Sequence, residues 1–142
     1  MYDIDKNLGG GQGALAQFGN GPIDVVIEYN TVAHINGDAV IRKADGAPMT
    51  GFRLTNNVLS GGGYYGFFLG GTPSSNRCDA NTAVHFPGAV LTGNAYVAAH
   101  STFKAGCPNN LWLNTTADLL SYDPVTGVTS GTLAPYGVRP PQ

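Results

Sequence analysis

The sequence predicts an all-β fold in which short strands alternate with turns and stack on copies of themselves as a solenoid. Residues 25–32, 52–59 and 89–96 carry this prediction, because each begins apolar, any, aliphatic, polar, any, Asn. Each stretch alternates with period two, as a strand does, and then reaches an asparagine typical of a turn. A repeated strand and turn is the unit that a stacked β architecture requires.

The composition agrees with a turn-rich single domain. The chain has 142 residues, 42% of them hydrophobic, which is enough to bury a core. Its 21 glycines and 9 prolines predict frequent turns and few long helices. Charged residues make up 11%, against roughly 25% in an average soluble domain. The remaining polar surface is rich in Asn, Thr, Ser and Gly, and it favours an extracellular or periplasmic location.

The charge and the hydrophobic pattern argue against two classes of partner. The formal net charge is −2 and the Lys and Arg residues are scattered singly, so we expect no nucleic-acid partner and no anionic membrane partner. No apolar run approaches the roughly 20 residues that span a bilayer. The first residues, Met-Tyr-Asp-Ile-Asp-Lys, lack the features of a signal peptide. We therefore expect either a removed signal or a chain that begins inside a longer protein.

The spacing of the asparagines gives the repeat length. Asn30 and Asn57 are 27 residues apart, which is close to one coil of a parallel β-helix, whereas Asn57 and Asn94 are 37 apart. The longer spacing predicts a protruding loop near residues 70–86. One domain is expected, with coils over about residues 10–107 and an irregular closure and tail over about 108–142. Within the closure, a short helix or an irregular coil is predicted near 111–120, and an extended, frayed tail at 134–141.

The units Ile27-x-x-Asn30, Leu54-x-x-Asn57 and Leu91-x-x-Asn94, with the turn at residues 45–52, resemble a known family. They are similar to the C-terminal coils of secreted bacterial right-handed parallel β-helix proteins of the pectate lyase-like superfamily. The resemblance spans residues 10–125. It implies a right-handed parallel β-helix of about four coils with one protruding loop, and an activity on polysaccharides.

Members of that family have further coils on the N-terminal side. The resemblance therefore implies an N-terminally truncated chain whose first coil leaves strand edges without partners. We expect such an edge to bind a second copy and so to form a homo-oligomer.

The three repeated asparagines fall in one column when the repeats are aligned. Asn30, Asn57 and Asn94 can then pair their side-chain amides from coil to coil and satisfy the backbone of the turns. This pattern predicts a structural ladder rather than a ligand site.

The outward face of the repeated strands is the best candidate for chemistry. Glu28 aligns with Thr55 and Val26 aligns with Arg53, so Glu28 and Arg53 are predicted on adjacent coils of one face. A polysaccharide lyase needs a base beside the sugar carboxylate and a cation for the developing charge. Arg53, Glu28 and Lys43 are the catalytic candidates. The alternative is a solvated Glu–Arg pair that contributes little.

Four further residues are candidates for ligand contacts. Asp24 and Asp45 flank turns and offer oxygens to Ca²⁺, although Asp is common at turns without a metal and the spacing matches no dedicated calcium loop. Tyr29 and Tyr65 are candidates for stacking on a sugar ring, and packing at the coil edges is the alternative. Calcium is the only cofactor that the pattern suggests.

Cys78 and Cys107 both lie in polar, turn-rich stretches. A disulfide that ties the protruding loop to the next coil is one interpretation, and two free surface thiols are the other. Neither cysteine has the close Cys or His partner that a zinc site demands.

The sequence leaves three classes of function open. The first is a secreted or surface carbohydrate-related module, either binding or lyase-like. The second is a structural, self-assembling solenoid without a catalytic site. The third is a metal-assisted ester or lactone hydrolase, which the carboxylates permit but which has no Gly-x-Ser-x-Gly nucleophile motif. Whether the chain is an enzyme stays open.

Overall fold

The protein's structure, a computed structural model, describes residues 15–35, 41–43, 46–61, 67–69, 78–97, 107–113 and 122–139. The described part is mostly β-structure with one α-helix. The elements in chain order are β1 Ala16–Phe18, β2 Val26–Glu28, β3 Thr31–Ile35, β4 Ile41–Lys43, β5 Arg53–Thr55, β6 Val58–Gly61, β7 Phe67–Leu69, α1 Cys78–His85, β8 Val90–Thr92, β9 Ala95–Val97, β10 Leu111–Leu113 and a 3-10 helix Gly131–Leu133.

The strands form three parallel sheets. Sheet 1 has the order β1-β4-β7, sheet 2 the order β2-β5-β8, and sheet 3 the order β10-β9-β6-β3. The chain visits sheets 1, 2 and 3 in that order three times, and we call each passage a circuit. Circuit 1 comprises β1 to β3, circuit 2 comprises β4 to β6, and circuit 3 comprises β7 to β9, after which β10 extends sheet 3. The prediction of a fold built mainly from parallel β-strands is confirmed.

The register between circuits matches the alignment of the sequence repeats. Ile27 pairs with Leu54, and Leu54 pairs with Leu91, so the central residue of each repeat occupies the same row of sheet 2. These three side chains point into the core, and their neighbours on either side point outward. Alternation with period two therefore sets which side chains each circuit buries.

The core lies between the three sheets, and aromatic contacts join successive circuits. Phe18, Phe52 and Phe86 form a column with ring centroids 6.0 and 4.8 Å apart. Tyr96 and Trp112 stack at 4.4 Å with nearly parallel rings. The phenylalanine column has one ring per circuit, and Tyr96 and Trp112 lie on the adjacent strands β9 and β10. Offset and edge contacts between aromatic rings are favourable.

At the corner between sheets 2 and 3, the residue before each asparagine of the column has a left-handed backbone conformation. Tyr29, Asn56 and Gly93 occupy this corner with φ of 55°, 58° and 66°. Asn and Gly adopt this conformation readily, whereas a tyrosine adopts it at a cost in free energy. The corner before sheet 2 has Gly51 at φ 69°, where a Cβ would overlap the Asp24 carboxylate of the circuit below. Glycine is therefore favoured there by its left-handed conformation, and a larger residue would also require the Asp24 carboxylate to move.

The predicted protruding loop at residues 70–86 is wrong in its second half. Residues 78–85 form helix α1, which follows β7 and precedes β8. The His85 carbonyl accepts a 2.9 Å hydrogen bond from the Met49 N–H, so the end of the helix is bound to the circuit below. The first half of the predicted loop, residues 70–77, lies outside the described residues.

The predictions for the C-terminal part are also corrected. Residues 111–113 form β10 rather than a helix or an irregular coil, so the stack extends beyond residue 107; residues 114–120 lie outside the described residues. Residues 122–139, called the C-terminal segment from here on, are not a frayed tail. They pack on the outer face of sheet 3, where Leu133 joins Val58, Ala95 and Val97 in a second buried cluster.

Polar contacts tie the C-terminal segment to circuits 1 and 2. The Thr31 hydroxyl donates to the Gly127 carbonyl at 2.7 Å and accepts from the Val138 N–H at 3.1 Å. The Gly137 N–H donates to the Asn56 carbonyl at 2.8 Å. These contacts explain why Thr31, an outward-facing residue of a strand, is only 3% exposed.

Candidate functional site

The outer face of sheet 2 is exposed in the part of the chain that the structure describes, and we call it the open face. Val26 and Arg53 form one exposed row across circuits 1 and 2, and Glu28 and Thr92 are exposed in a second row. Thr55, between Glu28 and Thr92 in that row, is only 5% exposed. The open face therefore presents a carboxylate, a guanidinium, a hydroxyl and an aliphatic side chain on parallel strands.

Glu28 and Arg53 lie where the alignment predicts them. Glu28 pairs with Thr55 and Arg53 pairs with Val26, so the two charged residues are diagonal neighbours on adjacent strands of sheet 2. Adjacent strands lie about 4.8 Å apart, and the two residues are offset by two positions along the strands. Among the residues that the structure describes, no ion pair joins Glu28 to Arg53, and both side chains are exposed. Each is accessible to a ligand.

The other catalytic candidate is separated from this pair. Lys43 lies on β4 in sheet 1, between Phe18 and Leu69, and not on sheet 2 with Arg53. The side chain of Lys43 lies outside the described side chains. Lys43 and Arg53 therefore do not lie in one row of a single sheet. The sequence alone did not show this separation, because it did not assign the two strands to different sheets.

Tyr29 contacts the C-terminal segment. The Arg139 guanidinium lies 3.7 Å from the centre of the Tyr29 ring, and an Arg139 nitrogen also donates a hydrogen bond to the Tyr29 hydroxyl. This cation–π contact covers one face of the ring that we predict as a sugar platform. The second predicted platform residue, Tyr65, lies outside the described residues.

Asp24 is an exposed corner residue whose N–H donates to the Thr50 carbonyl at 3.0 Å. Asp45, the other predicted calcium ligand, lies outside the described residues. Within the described ranges, no group of three or more His, Cys, Asp or Glu side chains is placed to hold a metal ion. The calcium site therefore stays a prediction.

The asparagine column is a continuous hydrogen-bonded ladder. Asn30 donates to the Asn57 Oδ1 through both its backbone N–H and its Nδ2, each at 3.0 Å, and Asn57 donates in the same way to Asn94 at 3.1 and 3.0 Å. Asn94 continues the pattern to a fourth member, Asn110, at 3.0 Å. Asn57 and Asn94 are fully buried. The ladder fixes the corner between sheets 2 and 3, and it engages both the Oδ1 and the Nδ2 of Asn57 and of Asn94, which leaves these two amides no capacity for a ligand.

Sequence reasoning missed Asn110 because its spacing is irregular. It follows Asn94 by 16 residues, whereas the other intervals are 27 and 37. A weaker signal is present, since Asn110 precedes the apolar residues Leu111 to Leu113 as Asn94 precedes β9.

Two concave regions border the open face. One, of about 470 Å³, lies between α1 and β8, where Thr82 and Ala83 face Val90 and Thr92. The other, of about 540 Å³, lies at circuit 1 and is called the circuit 1 hollow. It is lined by Leu15, Ala16, Val26, Ile27, Glu28 and Asn30. The open face is thus continuous with concave surface in both circuit 3 and circuit 1.

Cys107 is a disulfide-bonded cysteine, 7% exposed, at the edge of the core. Cys78 is the other cysteine of the sequence, and its side chain lies outside the described side chains. The specific Cys78–Cys107 bridge therefore stays a prediction. The Cys107 carbonyl accepts hydrogen bonds from the Asn110 Nδ2 at 3.2 Å and from the Trp112 indole at 3.3 Å, so this residue fixes both side chains at the last position of the ladder.

None of the helices within the described ranges has the length and apolar character needed to cross a membrane. Comparison of the chain with models of known protein families, with curated proteins and with solved structures found no match.

Proposed function

We propose that this protein is a secreted or surface polysaccharide-binding module, folded as a right-handed parallel β-helix of about four coils. The observation that carries the proposal is the open outer face of sheet 2, which remains exposed while the outer face of sheet 3 is covered by the protein's own C-terminal segment. Function on such a scaffold resides in the surface groups that its strands present.

The β-helix proposal is supported by the order in which the chain visits the sheets. A chain that passes through three parallel sheets in the same order three times, with equivalent residues in register, follows a helical path. Three-residue strands separated by left-handed corner residues, together with an internal asparagine ladder, fit this path.

A polysaccharide suits the open face because of its chemistry and its spacing. Glu28 and Thr92 can accept hydrogen bonds from sugar hydroxyls, Arg53 can bind an oxygen or a carboxylate, and Val26 offers an apolar patch for a sugar ring. The strands repeat about every 4.8 Å along the stack, a distance comparable with the length of one sugar unit. A chain of sugars lying along the stack would therefore meet the same kind of position on each circuit.

Binding is favoured over lyase chemistry by the placement of the cations. Arg53 lies on sheet 2 and Lys43 on sheet 1, so the pair that a lyase would use as base and charge stabiliser is divided between sheets. A single exposed guanidinium is sufficient to recognise a carboxylate-bearing sugar.

A secreted or surface location is supported by two features. Charged residues make up only 11% of the chain, and Cys107 is disulfide-bonded, as expected in an oxidising compartment.

The test is binding to immobilised acidic and neutral polysaccharides, measured by affinity electrophoresis and calorimetry. Arg53→Ala is expected to weaken binding to the acidic polysaccharide by about tenfold, in line with the loss of one charge-assisted contact. Arg139→Ala is the matched control, because it removes the same charge outside the open face. No binding by the wild-type protein to any polysaccharide tested would contradict the proposal, as would equal weakening by both substitutions.

A second measurement on the same protein–polysaccharide mixtures distinguishes binding from cleavage. Absorbance of an unsaturated product, lost in the Arg53→Ala variant, would show that the module is a lyase and not a binding protein alone.

A further inference from the structure

The two ends of the asparagine ladder are complementary. Every step of the ladder runs in one direction, from the backbone N–H and Nδ2 of one asparagine to the Oδ1 of the asparagine in the following circuit. At the first end, Asn30 Oδ1 receives no hydrogen bond from the described residues. At the last end, the Asn110 backbone N–H has no acceptor among them. One end therefore lacks a donor and the other lacks an acceptor.

The strand edges show the same complementarity. Among the described strands, β1, β2 and β3 are the edge strands of the three sheets at circuit 1, and β7, β8 and β10 are their edge strands at the opposite end. All strand pairs in the three sheets are parallel. An edge strand presents unpaired N–H and C=O groups that favour addition of a further strand.

The circuit 1 hollow adds apolar surface to this end. Leu15 and Ile27 line it from the core side, and Val26 at its rim is 50% exposed. A partner that continued the stack would cover these side chains in the way that circuit 2 covers its neighbours. Apolar surface, strand edges and an unfilled ladder acceptor therefore coincide at circuit 1.

We infer that circuit 1 docks on the β10 end of a second copy of this chain, so that copies stack head to tail. The required partner must offer a parallel strand edge and an asparagine N–H in ladder register, and β10 with Asn110 offers both in sheet 3. A symmetric dimer through two circuit 1 ends would bring two Asn30 Oδ1 acceptors together and would pair the strands antiparallel. Head-to-tail contacts do not close, so the product is a linear series of oligomers. This inference concerns assembly and does not depend on polysaccharide binding.

Two blocking variants, one at each end, test the inference without any ligand. Val26→Lys places a charge at the exposed rim of the circuit 1 hollow, and Asn109→Lys places one at an exposed position beside Asn110. A lysine on a strand edge is a device that natural sheets use against edge pairing. Val125→Lys is the control for an added surface charge, since Val125 is 91% exposed and lies in the C-terminal segment rather than on a strand of circuit 1 or on β10.

Sedimentation velocity over a wide concentration range provides the readout. The wild type and Val125→Lys are expected to increase in average mass past the dimer without a plateau. Val26→Lys and Asn109→Lys are each expected to remain monomeric alone, because each has one blocked end. Mixed in equal amounts, they are expected to form dimers and nothing larger, because each supplies the intact end that the other lacks.

Three results would overturn the inference. A wild type that stays monomeric throughout would show that circuit 1 does not dock on a second copy. A dimer of Asn109→Lys alone would show a symmetric interface instead, and a mixture that stays monomeric would rule out head-to-tail docking. Circular dichroism and thermal unfolding check that each variant is folded, and Glu28→Lys, exposed in the same hollow, replaces Val26→Lys if that variant is unfolded.

Discussion

The outer faces of sheets 2 and 3 differ although the strands behind them follow the same repeat. Both sheets are parallel and both use alternate residues for the core. On sheet 2 the outward residues Val26, Glu28 and Arg53 are exposed, whereas on sheet 3 the outward residues Val58 and Val97 are fully buried. The C-terminal segment makes this difference. A repeat therefore determines which side chains point outward, and the segment beyond the repeat determines whether water reaches them.

Leu133→Ala is the strongest test of the covered face. Leu133 is fully buried against Val58, Ala95 and Val97, so its truncation leaves a cavity between the C-terminal segment and sheet 3. We expect the free energy of unfolding to fall by about 2–5 kcal/mol. Urea denaturation measures it. Val125→Ala in the same segment is the control, and a loss no greater than the control's would mean that the segment contributes little to stability.

Asn57→Ala tests the ladder that separates the two sheets. Asn57 is fully buried, and its Nδ2 donates to the carbonyls of Ile27 and Thr55 as well as to Asn94. Its removal leaves buried backbone groups unpaired, which is expected to lower the free energy of unfolding by about 1–3 kcal/mol. Thermal and urea unfolding measure the change, with the exposed Asn109→Ala as the control. Equal stability of the two variants would show that the ladder is not a stabilising feature.

Tyr96 gives the covered sheet a dependence on alkaline pH. Burial raises the pKa of the Tyr96 hydroxyl well above its ordinary value of 10.0. The folded protein therefore keeps this proton when the unfolded chain loses it, so the contribution to stability is complete below pH 10 and decreases as the pH rises above it. The expected slope is about 1.4 kcal/mol per pH unit.

Urea unfolding of the wild type and of Tyr96→Phe, from about pH 9 to about pH 11, isolates this effect from other titrating groups. The variant is expected to lose less stability over this interval than the wild type. Identical slopes would contradict the assignment to Tyr96.

Val26→Ala tests the open face and is expected to have the smallest effect. Val26 is 50% exposed, so the change in the free energy of unfolding should stay within about 0.5 kcal/mol. The matched variant Val97→Ala, on the buried outer row of sheet 3, removes the same atoms from a covered site. If both substitutions cost the same in urea unfolding, the contrast between the two faces is not an energetic one.

The repeat and its register were predictable because they depend on local rules. Strand alternation and turn asparagines act over a few residues, so aligning three stretches was enough to place Glu28 opposite Thr55 and Arg53 opposite Val26. The same alignment placed Asn30, Asn57 and Asn94 in one column. Neighbouring copies of one pattern must repeat one set of contacts, which is why the open face could be described before the structure.

The C-terminal segment could not be predicted because its contacts are not local. Its prolines and glycines suggested an extended tail, yet Thr31 and Val138 are in contact across 107 residues and Tyr29 and Arg139 across 110. No periodic pattern marks such a pair. The same reason applies to Tyr29, whose ring looked available for a sugar and instead contacts Arg139. It applies in part to Asn110, whose interval of 16 residues breaks the repeat.

The bond between Thr31 and Val138 also has a consequence for folding during synthesis. The ribosome produces the chain from the N-terminus, so circuits 1 to 3 can form before residue 138 exists. Until then, Val58 and Val97 on sheet 3 have no cover and expose an apolar strip of parallel β-structure. The nascent protein is therefore vulnerable to aggregation through sheet 3 until the C-terminal segment has emerged and packed on it.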